Sequence, residues 1–197
     1  MVARGHIQVI AGCMYSGKTD ELLRLLRRAE IARRRILLVR PVLDDRTELE
    51  TVRSRSGAAY HSKAVADPTE IESLAKDAWA DMIAVEEAQF FPIALVEVVE
   101  RLAAAGRTVI LSGLNTDFRG RPFGPMPLLM AIADGVTSLS AICTVCGEEA
   151  TRTQRLIDGR PAGADEPLVV VGGVSPDRPT ARRETYEARC RSHHELP

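Results

Sequence analysis

The segment Gly12-Cys13-Met14-Tyr15-Ser16-Gly17-Lys18-Thr19 is a complete G-x-x-x-x-G-K-[ST] phosphate loop. It follows a short strand-like run, His6-Ile7-Gln8-Val9-Ile10, and opens into a leucine-rich stretch. That setting calls for a strand, an anion-cradling turn and a helix, in that order. Its glycines let the chain curl so that successive amide N–H groups face phosphate oxygens. Lys18 then reaches the outer phosphates, Thr19 offers its hydroxyl to Mg²⁺, and the helix N-terminus adds a favourable dipole. Gly12, Ser16, Gly17, Lys18 and Thr19 are therefore expected to hold a nucleotide's phosphates. A glycine turn with an incidental lysine would explain the bend but not the Lys18-Thr19 pair.

The rest of the chain reads as alternating elements. Lys18 to about Ala32 is a helix with Leu22, Leu23, Leu25 and Leu26 on its apolar face. Ile36–Val39, Met82–Val85 and Val109–Leu111 are apolar runs of buried-strand type. Asp44–Gly57 has no clear period and reads mostly as loop. Further helices are expected from Asp67, acting as cap, to about Trp79, and from Pro92 to Ala105, closed by Gly106. A Gly/Pro-rich loop over Gly113–Pro127 precedes a short helix around Leu128–Ala133. This alternation predicts an α/β fold, a parallel sheet with helices on both faces. Composition changes near Ala141, where a small β-rich appendage begins. Two domains follow, a nucleotide-binding domain over 1–140 and the appendage over 141–197.

Composition narrows the function classes. Hydrophobic residues at 45% and charged ones at 27% argue for a globular chain rather than a disordered one. A net charge of −1 gives no electrostatic case for binding a nucleic-acid polymer. No apolar run approaches the roughly 18 residues of a membrane span, and the N-terminus enters the first strand without room for a signal peptide. Four cysteines, one inside the phosphate loop, suit a reducing compartment better than a disulfide framework, so a cytoplasmic location is expected.

Three further constellations carry chemistry. The third strand ends in Glu86-Glu87, where one carboxylate can help hold Mg²⁺ and the other can accept a proton from an attacking hydroxyl. Two exposed strand-end glutamates are the alternative. Cys143-x₂-Cys146 and Cys190-x₂-His193 together supply three thiolates and an imidazole, a set that suits a closed, structural Zn²⁺ site. Core cysteines or a redox pair are the alternatives, and His194 is the less suitable fourth ligand by register. All four phenylalanines fall between Phe90 and Phe123, where they can sandwich a flat base or simply pack beneath a loop. Cys13 reads as a small residue that fits its loop, or as an acidified thiol at a helix N-terminus.

These blocks together resemble the zinc-containing thymidine kinases of cytosolic and bacterial type. The likeness lies in GCMYSGKTDEL from Gly12, EAQFF from Glu87 and GLNTDFRGRPFGPMPLLMAIAD from Gly113, then in AICTVCGEEATRTQRL from Ala141 and YEARCRSHH from Tyr186. The resemblance implies a RecA-like core, a zinc-bound domain and a lasso loop over the nucleoside base. It implies ATP-dependent phosphorylation of thymidine at the 5′-hydroxyl to give dTMP, with Glu87 as general base and Thr19 and Glu86 toward Mg²⁺. Asp44 and Arg46 match an Asp-x-Arg element at the phosphoryl-transfer site. Met14, Phe90, Leu114, Phe118 and Phe123 match the base pocket, Thr153 and Tyr186 lie near base and sugar, and Leu168 and Val171 belong to the lasso region. It further implies Cys143, Cys146, Cys190 and His193 as zinc ligands, dTTP as feedback inhibitor and a homotetramer.

The chain departs from that pattern at Glu86 and Asn115, where aspartate is usual, and at Arg55, where histidine is common. Ser175–Thr185 lengthens the lasso. The competing readings are a kinase for deoxyuridine or a purine deoxynucleoside, and a non-enzymatic nucleotide-gated zinc module.

Overall fold

The computed structural model describes residues 5–42, 51–53, 59–168 and 183–196. Its centre is a sheet of six strands in which every pairing is parallel. The strands are β1 (His6–Gly12), β2 (Ile36–Pro41), β5 (Lys63–Val65), β6 (Met82–Val85), β7 (Thr108–Gly113) and β8 (Gly135–Leu139), in spatial order β5-β2-β6-β7-β1-β8. Helices α1 (Lys18–Ile31), α2 (Glu70–Asp77), α3 (Leu95–Ala104) and α4 (Met126–Ile132) cover it.

Successive strand residues point to opposite faces, so the sheet carries two separate cores. Ile10, Leu38, Met82, Ala84 and Ile110 meet Leu22, Leu23 and Leu26 of α1. Val9, Leu37, Val39, Ile83, Val85, Val109 and Leu111 meet Ile71 of α2, Leu95, Val98, Val99 and Leu102 of α3, and Met126 and Leu129 of α4. Apolar residues on both faces of one strand read in sequence as a continuous run, which is why the three central runs could be recognised. The expected helices on both faces are present.

The boundaries differ where flanking chemistry extends an element. The helix expected from Leu128 starts at Met126, with Pro125 at its N-cap; proline's fixed φ and missing N–H are tolerated in a first turn. The N-cap position of α2 is Thr69 rather than the expected Asp67, which instead fixes the turn just ahead of the helix by a reciprocal arrangement. Asp67 Oδ1 accepts the Thr69 N–H at 2.8 Å, while Glu70 Oε1 accepts the Asp67 N–H at 2.9 Å. The edge strands β5 and β8 were not anticipated. Within the stretch expected to be mostly loop lies β3 (Thr51–Arg53), which pairs antiparallel with β4 (Ala59–His61) just beyond it, and Val52 joins the α1-side core.

Beyond β8 the chain forms two small antiparallel sheets. One pairs β9 (Ala141–Ile142) with β10 (Glu149–Ala150). In the other, β11 (Arg152–Ile157) lies between β12 (Arg160–Pro161) and β13 (Glu184–Arg189). Among the described residues no helix is long and apolar enough to cross a membrane.

Leu22 is fully buried between α1 and the sheet. Leu22→Ala is expected to lower the unfolding free energy by about 2–5 kcal/mol, read from urea denaturation, because the surrounding strands cannot collapse into the cavity.

Candidate active site

Parallel pairing places the carboxyl ends of all the central strands on one edge, which is where ligands bind in such sheets. The phosphate loop leaves β1 there and the two glutamates leave β6 there, with β7 between them. Two strand spacings separate β1 from β6, about 9–10 Å, so the loop and the carboxylates lie on either side of β7, a gap that side chains from both can span.

The loop itself is tightly set. Gly17, with φ +83°, is the N-cap of α1, and the Glu21 N–H donates to its carbonyl at 3.0 Å. A Cβ on Gly12 would lie 2.4 Å from the Leu139 carbonyl oxygen, so this glycine permits the close approach of β8. Ser16 Oγ donates to the Cys13 carbonyl at 2.9 Å, and Lys18 Nζ donates to the same oxygen at 2.7 Å. Burial pulls the Lys18 ammonium below its ordinary value, opposed by the charges of Glu87, Cys13 and Glu86.

Across the gap, Thr19 Oγ1 donates to Glu86 Oε1 at 3.0 Å. Burial and the adjacent Glu87 charge push Glu86 up to about 7, against the Thr19 hydrogen bond and the charges of Arg40 and Lys18. A divalent cation between these groups would relieve that penalty on the ionised form. Glu87 is exposed and has φ +53°, a left-handed conformation uncommon for a residue with a side chain. Its carboxylate accepts a hydrogen bond from Gln89 Nε2. The two neighbouring glutamates are thus divided, one turned to Thr19 and the other to Gln89.

Residues expected around the base gather at the same edge. Phe90 is half-buried and meets Phe123 edge-on, with centroids 5.3 Å apart and planes at 84°. Phe118 is buried, with Arg119 and Arg155 guanidiniums 5.0 and 5.1 Å from its ring centroid. Phe91 lies in the α3-side core, apart from this group. The Met14 N–H donates to Thr153 Oγ1 at 3.0 Å, and Tyr15 Oη donates to the Tyr186 carbonyl at 3.1 Å. Leu114 and Leu168 are described too, Leu168 being exposed. Asn115 Oδ1 is buried with no hydrogen-bond partner among the described residues. Asp44, Arg46, Arg55 and Val171 lie outside the described residues, as does most of Ser175–Thr185.

Cys143, Cys146, Cys190 and His193 converge, each offering a ligand atom within 4.8 Å of all the others. Cys190 Sγ lies 3.2 Å from His193 Nδ1, Cys146 Sγ lies 3.8 Å from Cys190 Sγ, and Cys143 Sγ lies 3.9 Å from His193 Nδ1. Such separations are those of ligands around a tetrahedral ion with bonds of about 2.0–2.3 Å. Although desolvation opposes it, backbone N–H groups of Cys190, Cys146 and Val145 draw the Cys143 thiol down to about 6. His194 turns away, its Nε2 lying 2.8 Å from the Phe118 carbonyl oxygen. Gly147, at φ +77°, makes the knuckle turn after Cys146.

Comparison with known proteins agrees with this arrangement. The family model described as Thymidine kinase matches residues 5–194. The chain belongs to the thymidine kinase family. A thymidine kinase from Coprothermobacter proteolyticus is 51% identical over 193 residues, covering 98% of this chain and 92% of that relative.

Two residues of this thymidine kinase family member escaped the sequence reading. Gln89 is one; its only signal was a place inside the EAQFF block. Arg155 is the other. It is 1% exposed, pairs with Glu184 and donates to the Pro167 carbonyl, while Phe118 lies against its guanidinium. It therefore anchors both ends of the segment between Leu168 and Arg183. Arg155→Ala leaves Glu184 without its partner and should cost about 3–5 kcal/mol of stability in chemical denaturation. The surviving folded protein should also show a raised KM for the nucleoside.

Proposed function

We propose that this protein is an ATP-dependent thymidine kinase, transferring the γ-phosphoryl group of ATP to the 5′-hydroxyl of thymidine to give ADP and dTMP. The observation that carries the reading is the phosphate loop facing a strand-end carboxylate pair, beside a cluster of aromatic and apolar side chains. A neutral alcohol is a poor nucleophile and must lose its proton as it attacks. Glu87, exposed at the end of β6, is the acceptor for that proton. The nucleoside oxygen bonds to the γ-phosphorus, the bond from that phosphorus to the bridging oxygen breaks, and ADP leaves with the electron pair. Lys18 and the loop amides stabilise charge on the transferring group, and Asp44 and Arg46 are assigned to the same step by their match to the family pattern.

Thr19 and Glu86 are the residues that would hold Mg²⁺, whose chemistry when bound is to neutralise phosphate charge. Met14, Phe90, Leu114, Phe118, Phe123, Thr153, Leu168, Val171 and Tyr186 are assigned to the nucleoside. Zn²⁺ is the ion assigned to the three thiolates and imidazole, because soft thiolates in a tetrahedral set favour it. Bound there, it would tie Cys143 and Cys146 to Cys190 and His193 within a small domain assigned to 141–197, distinct from a kinase domain over 1–140. The triphosphate dTTP joins the thymidine base to a polyphosphate, so it can span base pocket and phosphate loop at once; this is the physical basis for taking it as feedback inhibitor. The family likeness is what supports taking the protein as a cytoplasmic homotetramer.

The test is ATP-dependent phosphorylation of a nucleoside panel by zinc-replete protein. Thymidine should be turned over, and Glu87→Gln should lower kcat by roughly 10²–10⁴ while ATP still binds. Preferred turnover of deoxyuridine or a purine deoxynucleoside would keep the mechanism and change the substrate. A second expectation concerns the metal. Cys146→Ser should reduce bound zinc, measured by elemental analysis, and chelation of the wild-type ion should lower the melting temperature and raise the KM for thymidine.

A further inference from the structure

Gln89 is 2% exposed and lies in the 3₁₀ turn Ala88–Phe90 that follows Glu87. Its side-chain amide is used at both ends. Nε2 donates to Glu87 Oε2, and Oε1 accepts the Leu114 N–H at 2.9 Å. The orientation of the amide follows from chemistry. A backbone N–H can only donate, so Oε1 must face Leu114, and Nε2 is then left to face an acceptor, the carboxylate. Among the described residues Glu87 makes no other side-chain hydrogen bond, which leaves Oε1 of Glu87 open to a substrate hydroxyl.

Two glycines confine this residue. A Cβ on Gly113 would fall 2.7 Å from Gln89 Oε1, and one on Gly124 would fall 2.2 Å from the Gln89 carbonyl oxygen. The ends of the 113–124 loop are thus built around Gln89. That loop also carries Leu114, Phe118 and Phe123, which the proposed function assigns to the nucleoside pocket.

We propose that Gln89 is a positioning residue for Glu87: it fixes the carboxylate through Oε2 and ties it to Leu114, so that nucleoside pocket and proton acceptor move as one unit. This rests on the reading of Glu87 as general base. A misplacement of about 1 Å at a reacting group can reduce a rate by about 10²-fold, and an untethered glutamate on an exposed turn is free to move that far.

The experiment is a kinetic cycle on the full chain, using Gln89→Met, Gln89→Glu, Glu87→Ala and the double variants that combine them. Gln89→Met keeps length and volume while removing both hydrogen bonds. It should lower kcat about 10–100-fold with the KM for ATP unchanged. Gln89→Glu keeps the acceptor for Leu114 but turns an oxygen toward Glu87 in place of the donor, and should lower kcat at least about tenfold. In the Glu87→Ala background either change should alter the residual kcat by less than about threefold, because its effect passes through the missing carboxylate. Equal fold losses in both backgrounds would make Gln89 a packing residue and overturn the proposal. So would a Gln89→Glu enzyme with wild-type kcat alongside an inactive Glu87→Ala. Full activity in Glu87→Ala would instead remove the base assignment, and the proposal with it. If Gln89→Met does not fold, the Gln89→Glu cycle gives the same decision.

Discussion

Three consecutive phosphate-loop residues hold the C-terminal strands in place, and the geometry of the site depends on that seam. Cys13 Sγ donates to the Ala150 carbonyl at 3.3 Å, the Met14 N–H to Thr153 Oγ1, and Tyr15 Oη to the Tyr186 carbonyl. Around Cys13 the contact is closed by small residues, Ala141, Cys143, Ala150 and Ala188, which let two backbones approach. The thiol is buried there, and desolvation holds it above its ordinary value despite the nearby Lys18 charge. Of the two readings of Cys13, the small packing residue is the one this environment favours. The phosphate loop is therefore also the surface against which the C-terminal strands are built.

Backbone conformation at the site points the same way. Tyr15 and Glu87 both have positive φ, at 67° and 53°. Each such residue costs about 1–3 kcal/mol and persists only where surrounding contacts over-determine it. Tyr15 is held by Tyr186, and Glu87 by Gln89 and by the Phe90 N–H that donates to its carbonyl at 3.0 Å. The left-handed turn at Glu87 breaks the strand's alternation, and its carboxylate meets Gln89 while that of Glu86 meets Thr19. Two adjacent carboxylates on a regular strand would simply have pointed to opposite faces of the sheet.

What could be read from the sequence depended on whether the signal was local. The phosphate loop is a contiguous motif, and strands buried on both faces show as apolar runs, so β1, β2, β6 and β7 were legible. The edge strand β5 is Lys63-Ala64-Val65, too short and polar for that signal, and β8 alternates exposure as an outer strand does. The metal cluster was legible because each half is a two-residue spacing, even though 43 residues separate the halves. Gln89 and Arg155 were not, because their roles are set by partners distant in sequence: Leu114 for one, Pro167 and Glu184 for the other. A buried glutamine or arginine has no periodicity to betray it. The group of phenylalanines was legible, but not that Phe118 packs against two guanidiniums.

Arg155 shows what a buried arginine can do in a fold. A buried arginine stabilises a fold less well than an apolar side chain of the same size, because its desolvation must be offset by its partners. Its planar fork can do what an apolar side chain cannot, which is to engage a carboxylate and a carbonyl in fixed directions at once. Here the carboxylate of Glu184 belongs to β13 and the carbonyl of Pro167 lies just ahead of Leu168. The segment between them starts and ends at one buried charge. A second tie, in which Arg183 N–H donates to Asp158 Oδ1 at 2.9 Å and the Asp158 N–H donates to the Arg183 carbonyl at 2.8 Å, fixes the returning strand beside β11. Loss of either partner would remove one of the two fixed contacts of a buried guanidinium, so Pro167 and Glu184 are held together through Arg155. The same guanidinium lies against Phe118, which links that contact to the loop tied through Leu114 to Gln89 and Glu87.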